Sequence, residues 1–232
     1  MKLSTAVKMG DLSSEEKFFA HFARILKTNL EAGFQILDMP FAQYTRNPSP
    51  LRQGGWFAWL ERLKFTAKEI GVQWGQGHAH FFAGPPTNED DELMLRSIQG
   101  AGLLGVKWLA VHPISVWKDS IYSREESLLA NLKMLRKYGE WAKSAGVKLA
   151  VENVFGQNFG SYPQDLLELL ASLNDPIFGI CWDTGHAHLM GLNQKEAPLE
   201  LGSDVKALHI CDNRGRQDEH LLPLEGTISW QP

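Results

Sequence analysis

Six of the eight histidines in this 232-residue sequence lie within a few residues of the end of a short apolar run: His78, His80, His112, His186, His188 and His209. Histidines placed only for packing would scatter. Carboxylates stand at the same level, namely Asp38, Glu152, Asp183 and Asp218, the last with His220 just behind it. Glu152 ends the run KLAV, whose interior should be dry, and an unpaired charge buried there would cost on the order of several kcal/mol. It needs a cation. Asp183 and His186 are three apart where an apolar run gives way to a helical pattern, a spacing that can put both side chains on one face. Aspartate, glutamate and imidazole together form a mixed oxygen and nitrogen ligand set, suited to Zn, Mn, Co or Mg rather than to soft copper.

Seven apolar runs must position these groups: residues 2–7, 34–39, 72–76, 106–111, 147–153, 176–183 and 205–212. Between them lie segments of helical period. The first helix opens at Ser14 as N-cap and stops at Gly33; the next is closed by Gly71; a third, with an acidic first turn, spans 88–104; a fourth begins at Arg124; a fifth carries Pro163 in its first turn. Residues 112–123 read as a loop. Strand and helix patterns that alternate with near-continuous apolar strands predict parallel pairing buried on both faces. That leaves a doubly wound sheet or a (β/α)8 TIM barrel. The sheet reading calls for a phosphate loop such as GxGxxG after an early strand, and none is present. The polar residues cluster just past the strand ends, where barrel active sites lie, and this favours the barrel. After the seventh strand the sequence runs only to HLLPLEGTISWQP, whereas a seventh helix, an eighth strand and an eighth helix would need roughly 40 more residues by the usual barrel length. The reading is an incomplete barrel, one domain over residues 1–232. Its first and seventh strands have open edges, to be covered by altered packing or a partner, such as a homo-oligomer.

A formal charge of −4 and a pI near 6.1 offer no general attraction to phosphate backbones, so nucleic acid is not an expected partner. Two cysteines, Cys181 and Cys211, cannot build a disulfide framework; both sit in apolar runs as buried thiols do, and a reducing cytoplasm fits best. No apolar stretch reaches the ~18 to 20 residues of a membrane span, and MKLSTAVKMGDLSSEE lacks the apolar region of a signal peptide. A soluble, cytoplasmic protein is expected.

With these motifs in place, VEN at 151–153, CWDTGH at 181–186 and LHICDNRGRQDEHLLPLEG at 208–226 resemble the xylose-isomerase-like barrel superfamily. That superfamily holds sugar-phosphate isomerases and epimerases, and apurinic-site endonucleases. AGFQILDM, GHAHF and AVHP fall in the order it would place them. The resemblance implies that Glu152, Asp183 and His209 are metal ligands, and that a fourth, a Glu, would lie on an eighth strand. It implies that His186 contacts substrate in the epimerases or binds a further zinc in the endonucleases. His78, His112, Asp218 and His220 match the additional zinc ligands of that second branch. Leu224 stands where Gly is usual, and Ser229 where Asp is common.

The expected function is a divalent-metal-dependent sugar or sugar-phosphate isomerase or epimerase acting through an enediolate, with Glu152 as base. His186 and Arg214 would contact substrate oxygens and His78 and His112 would line the site. Of the eight tryptophans most should be packing, while Trp117, with Phe81 or Phe82, is placed to lie over a sugar face. His80 and His188 are expected to be structural. A zinc-dependent phosphodiester hydrolase is the alternative, and a barrel that binds ligand without turnover is a third reading.

Overall fold

The computed structural model describes residues 3–7, 14–46, 49–82 and 84–230; Lys2, the first residue of the first expected strand, lies outside them. The chain divides into two compact units. One comprises Met1–Phe81, Thr87–Leu109 and Trp141–Val147, and the other Phe82–Pro86, Ala110–Glu140 and Lys148–Pro232.

In the first unit the order is β1 (Thr5–Ala6), α1 (Glu15–Glu31), β2 (Ile36–Pro40), α2 (Phe41–Tyr44), α3 (Trp56–Ile70), β3 (Gln73–His78), α4 (Asn88–Leu104) and the first half of β4 (Trp108–Val111). Ser14 caps α1 by accepting the Lys17 N–H at 3.2 Å, and Glu15 and Glu16 occupy the positive end of the helix dipole. Phe18, Phe22 and Leu26, four apart, give α1 its buried face. The Phe18 ring packs against Tyr44 and Trp59, at centroid distances of 5.9 and 5.2 Å. Thr87 and Asp90 form a reciprocal capping box at the start of α4. Asp38 lies within β2, where it accepts from Ser4 Oγ at 2.9 Å and Gln76 Nε2 at 3.1 Å.

The second unit takes up the end of β4 and continues through β5 (Val116–Lys118), β6 (Ile121–Ser123), most of α5 (Arg124–Ala145), β7 (Lys148–Glu152), α6 (Pro163–Leu173), β8 (Phe178–Asp183), α7 (Thr184–Leu189), α8 (Glu196–Leu201) and β9 (Val205–His209). The expected loop at 112–123 contains an antiparallel hairpin, β5 with β6. Its two-residue turn, Asp119 and Ser120, has φ of 47° and 64°. That geometry suits a primed hairpin turn, but Asp-Ser lacks the Asn-Gly or Asp-Gly signal that announces one.

Sheet order is β1-β2-β3-β4 in the first unit and β4-β7-β8-β9 in the second, with β1–β2, β2–β3, β7–β8 and β8–β9 parallel. Within each unit the order follows the sequence without reversing, apart from the inserted hairpin. A doubly wound sheet reverses its order at a switch point, whereas a barrel does not. The seven expected strands are present. The last ends at His209 rather than at 212, because Asp212 leaves the sheet to bridge to Leu221. All six residues of β8 are buried, as a strand covered on both faces requires. Among the described residues no helix is long and apolar enough to cross a membrane.

Candidate metal and substrate site

Register brings the carboxylates together. Glu152 pairs with Cys181, and Asp183, two residues further along β8, pairs with His209. Residues two apart on a strand share a face, and partners across a parallel ladder point the same way, so these four side chains project to one side. His209 Nδ1 lies 2.7 Å from Glu152 Oε1 and 3.8 Å from Asp183 Oδ2. The three residues expected to share a cation do converge.

His186 joins them through α7. Asp183 caps that short helix by accepting the His186 N–H at 2.8 Å, so the two residues are locked in one turn. His186 Nδ1 donates to the Asn153 carbonyl at 2.7 Å and sits 3.8 Å from Glu152 Oε1. Its other nitrogen faces Asp218 Oδ2 at 3.5 Å, and Asp218 in turn is 2.9 Å from His220 Nε2. His112, just past β4, reaches Glu152 Oε2 at 3.3 Å.

Charge follows from this geometry. Burial opposes ionisation of Glu152, but the neighbouring His209 and His112 outweigh it and hold its carboxyl well below the usual range. Burial pushes Asp183 up. His209 is raised well above an ordinary imidazole because Glu152 overcomes its desolvation. His186 is likewise disfavoured by burial, yet the Asp218 hydrogen bond and the charges of Asp183 and Glu152 bring it up to about 9. Asp218 is lowered: burial is offset by hydrogen bonds from His186 and His220.

Two observations test whether this set could hold a divalent cation. Glu152, Asp183 and His186 each offer a donor atom within 4.8 Å of the others, as do Glu152, Cys181 and His209. Asp218 Oδ1 is buried and accepts no hydrogen bond. Carboxylate oxygens and imidazole nitrogens at this spacing match a zinc or manganese ligand set, and the residues present fit such an ion. Cys211, Asp218 and His220 make a further group of the same kind.

The other expected residues are placed as follows. His78 ends β3 in the first unit, its Nδ1 2.8 Å from the Ala79 carbonyl. Trp117 is on the hairpin, 45% exposed and packed on Tyr122 at 5.5 Å. Arg214 is engaged by Glu219, whose carboxylate also accepts its backbone N–H at 2.8 Å. His80 is held between Thr45 Oγ1 and Asp90 Oδ1, each at 2.9 Å, and His188 contacts Thr227 Oγ1 at 2.8 Å. Both histidines have structural partners.

Sequence reasoning missed three residues here. Asn153 is fully buried, and its amide bridges to β8 by accepting Asp183 N–H at 2.6 Å and donating to Asp183 O at 2.9 Å. Asp212 and Asn213 organise the segment that carries Asp218, with Asn213 Nδ2 donating to Gly185 O at 2.9 Å. The signal was available as the Asn of VEN and the Asp-Asn pair after Cys211, polar residues at strand ends whose backbone partners no spacing rule reveals.

A profile of the xylose isomerase-like TIM barrel matches residues 27–232. The chain belongs to that family. Among curated relatives of this xylose isomerase-like barrel is an uncharacterized protein of Methanocaldococcus jannaschii, 31% identical over 146 residues that cover 60% of this chain and 49% of that protein. The match thus spans about half the length of that relative. Among solved structures, a D-tagatose 3-epimerase-like protein superposes with a TM-score of 0.75 at 25% identity, covering 98% of this chain and 82% of the other. The IolI protein, solved with a bound zinc atom, superposes with a TM-score of 0.69 at 20% identity, covering 98% and 81%. At that identity the IolI likeness shows the shared fold.

Proposed function

We propose that this barrel is a divalent-metal-dependent isomerase or epimerase of a sugar or sugar phosphate, working through an enediolate. The observation that carries the reading is the convergence of Glu152, Asp183 and His209 on one face, with His186 locked beside them. The family supports it, as does the likeness to a D-tagatose 3-epimerase-like protein. A cation held by Glu152, Asp183 and His209 would supply positive charge that acidifies the C–H beside a carbonyl and stabilises the enediolate oxygens. Glu152, whose Oε2 faces His112 Nε2 at 3.3 Å, is the base that takes that proton. His186, oriented by its Nδ1 hydrogen bond to the Asn153 carbonyl, presents its other nitrogen to a substrate oxygen. His112 and Trp117 supply further contacts, and Arg214 joins them by leaving Glu219.

Deuterium wash-in tests this. With zinc or manganese loaded, the protein incubated in D2O with a panel of ketohexoses and their phosphates should exchange the C–H next to the carbonyl. Elemental analysis should find one metal per chain, and Glu152→Gln should abolish exchange. A loaded protein that exchanges no member of the panel overturns the proposal. One observation favours a second reading, a phosphodiester hydrolase with two or three zincs: Cys211, Asp218 and His220 form a second donor group beside His186. Two or more metals per chain, with phosphodiester cleavage, would select it.

A further inference from the structure

Phe155 lies three residues beyond Glu152, outside the ligand set. Its ring centroid is 5.1 Å from that of His186 at an interplanar angle of 47°, and yet the residue is 39% exposed. A phenylalanine that packs one side on a buried site imidazole and leaves the rest open presents apolar surface beside the charged cluster. The loop around it is braced. Asn158 Nδ2 donates to the Phe155 carbonyl at 2.8 Å, and Gly156 N–H points at Met190 Sδ at 3.1 Å. Gly160 N–H is held by the buried Asp165 at 3.0 Å, and the Phe159 N–H by Ser115 Oγ at 2.9 Å. The ring is thus fixed at its place in a loop tied to three neighbouring segments. A half-exposed aromatic ring next to hydrogen-bonding groups matches a ligand with both hydroxyls and a C–H face, since the ring packs on C–H surface while the polar groups take the oxygens.

We infer that Phe155 is a specificity-determining platform, which receives the C–H face of a carbohydrate whose oxygens are taken by His186 and its neighbours. This rests on the isomerase or epimerase reading. Because the ring contacts substrate alike before and during proton transfer, its loss should weaken binding and leave the chemical step alone.

The experiment compares wild type, Phe155→Ala and Phe155→Trp, each loaded with manganese, using D-tagatose and D-fructose as probes. Turnover is followed by deuterium wash-in, and manganese affinity by calorimetry. Phe155→Ala should raise KM roughly 2- to 12-fold, the range of one aromatic contact, with kcat within about twofold and manganese affinity unchanged. Phe155→Trp should restore KM. An alanine variant with wild-type KM overturns the platform while the functional reading stands. Lost manganese affinity, or a fall in kcat at constant KM, also overturns it by showing that the ring acts through His186. A wild type that exchanges neither ketose overturns the platform for these sugars, and the functional reading falls with it only if the rest of the panel also fails.

Discussion

Leu224 is a residue that local rules would not place where it is. Its φ of 78° lies in the left-handed region, where an L side chain costs about 1–2 kcal/mol, and its side chain is 80% exposed and so gains little from packing. The conformation is imposed by its backbone N–H, which donates to Asp212 Oδ2 at 3.1 Å. Leu224→Gly should relieve that cost, less about 0.4–1 kcal/mol for the extra freedom glycine gives the unfolded chain. The expected net gain is about 0.5–1 kcal/mol, read as a melting temperature higher by roughly 1–4 °C for a chain of this size. An unchanged or lower melting temperature would show that the strain is absent in solution. The sequence carried a hint, since Leu224 stands where the family it resembles has glycine, and a glycine position in a turn marks a backbone that needs positive φ. The ligands were legible for a similar reason: a carboxylate or imidazole at the end of an apolar strand has few uses other than a site. Asn153 was not, because an amide's role depends on which backbone groups lie opposite it.

The segment from Asp212 to Trp230 is the element that sets Asp218 beside His186, and it is folded around one carboxylate. Asp212 is fully buried; its Oδ1 accepts the N–H groups of Asn213 and Ile228 at 2.8 and 3.1 Å, and its Oδ2 accepts Trp230 Nε1 at 2.9 Å. Gly226 passes so close that a Cβ there would collide with Asp212 Oδ1 and the Asn213 carbonyl. Burial disfavours the Asp212 charge, but hydrogen bonds from Trp230 and from the backbone of Ile228, Gly226 and Asn213 outweigh it and hold its pKa below the ordinary 3.8. A carboxyl lowered on folding contributes stability that is fully present above its unfolded value and is lost as pH falls through the folded one. Acid titration should therefore release this segment below about pH 4, seen as a change in Trp230 fluorescence relative to a Trp230→Phe control. Asp212→Asn should show the released signal already at neutral pH, with a flat profile. A wild-type signal that titrates near pH 6 instead would assign the transition to histidines. Strands and long helices were legible from periodicity, whereas this segment and the β5–β6 hairpin were not. Their order comes from side-chain to backbone bonds and from a turn without its usual residues, neither of which leaves a repeating pattern.

At the scale of the molecule, Glu152, Asp183 and His209, with His186 beside them, belong to the second compact unit. Metal binding should therefore act on that unit first. Glu152 and Asp183 are both 1% exposed, and a cation between them replaces costly like-charge burial with coordination, so binding favours the folded state. An ion at about 100 times its dissociation constant adds about 2.7 kcal/mol, which for a chain of this size raises the melting temperature by roughly 5–11 °C. Hydrogen exchange should locate the gain, with added protection at the ends of β7, β8 and β9 and in the 212–230 segment, and little change in α1 and α3. Removal of the metal with a chelator should reverse both effects. The double variant Glu152→Ala, Asp183→Ala should melt at one temperature with or without zinc, because it lacks both carboxylates. If zinc stabilised the double variant as much as the wild type, the ion would be binding elsewhere and the convergence of these strands would have another purpose.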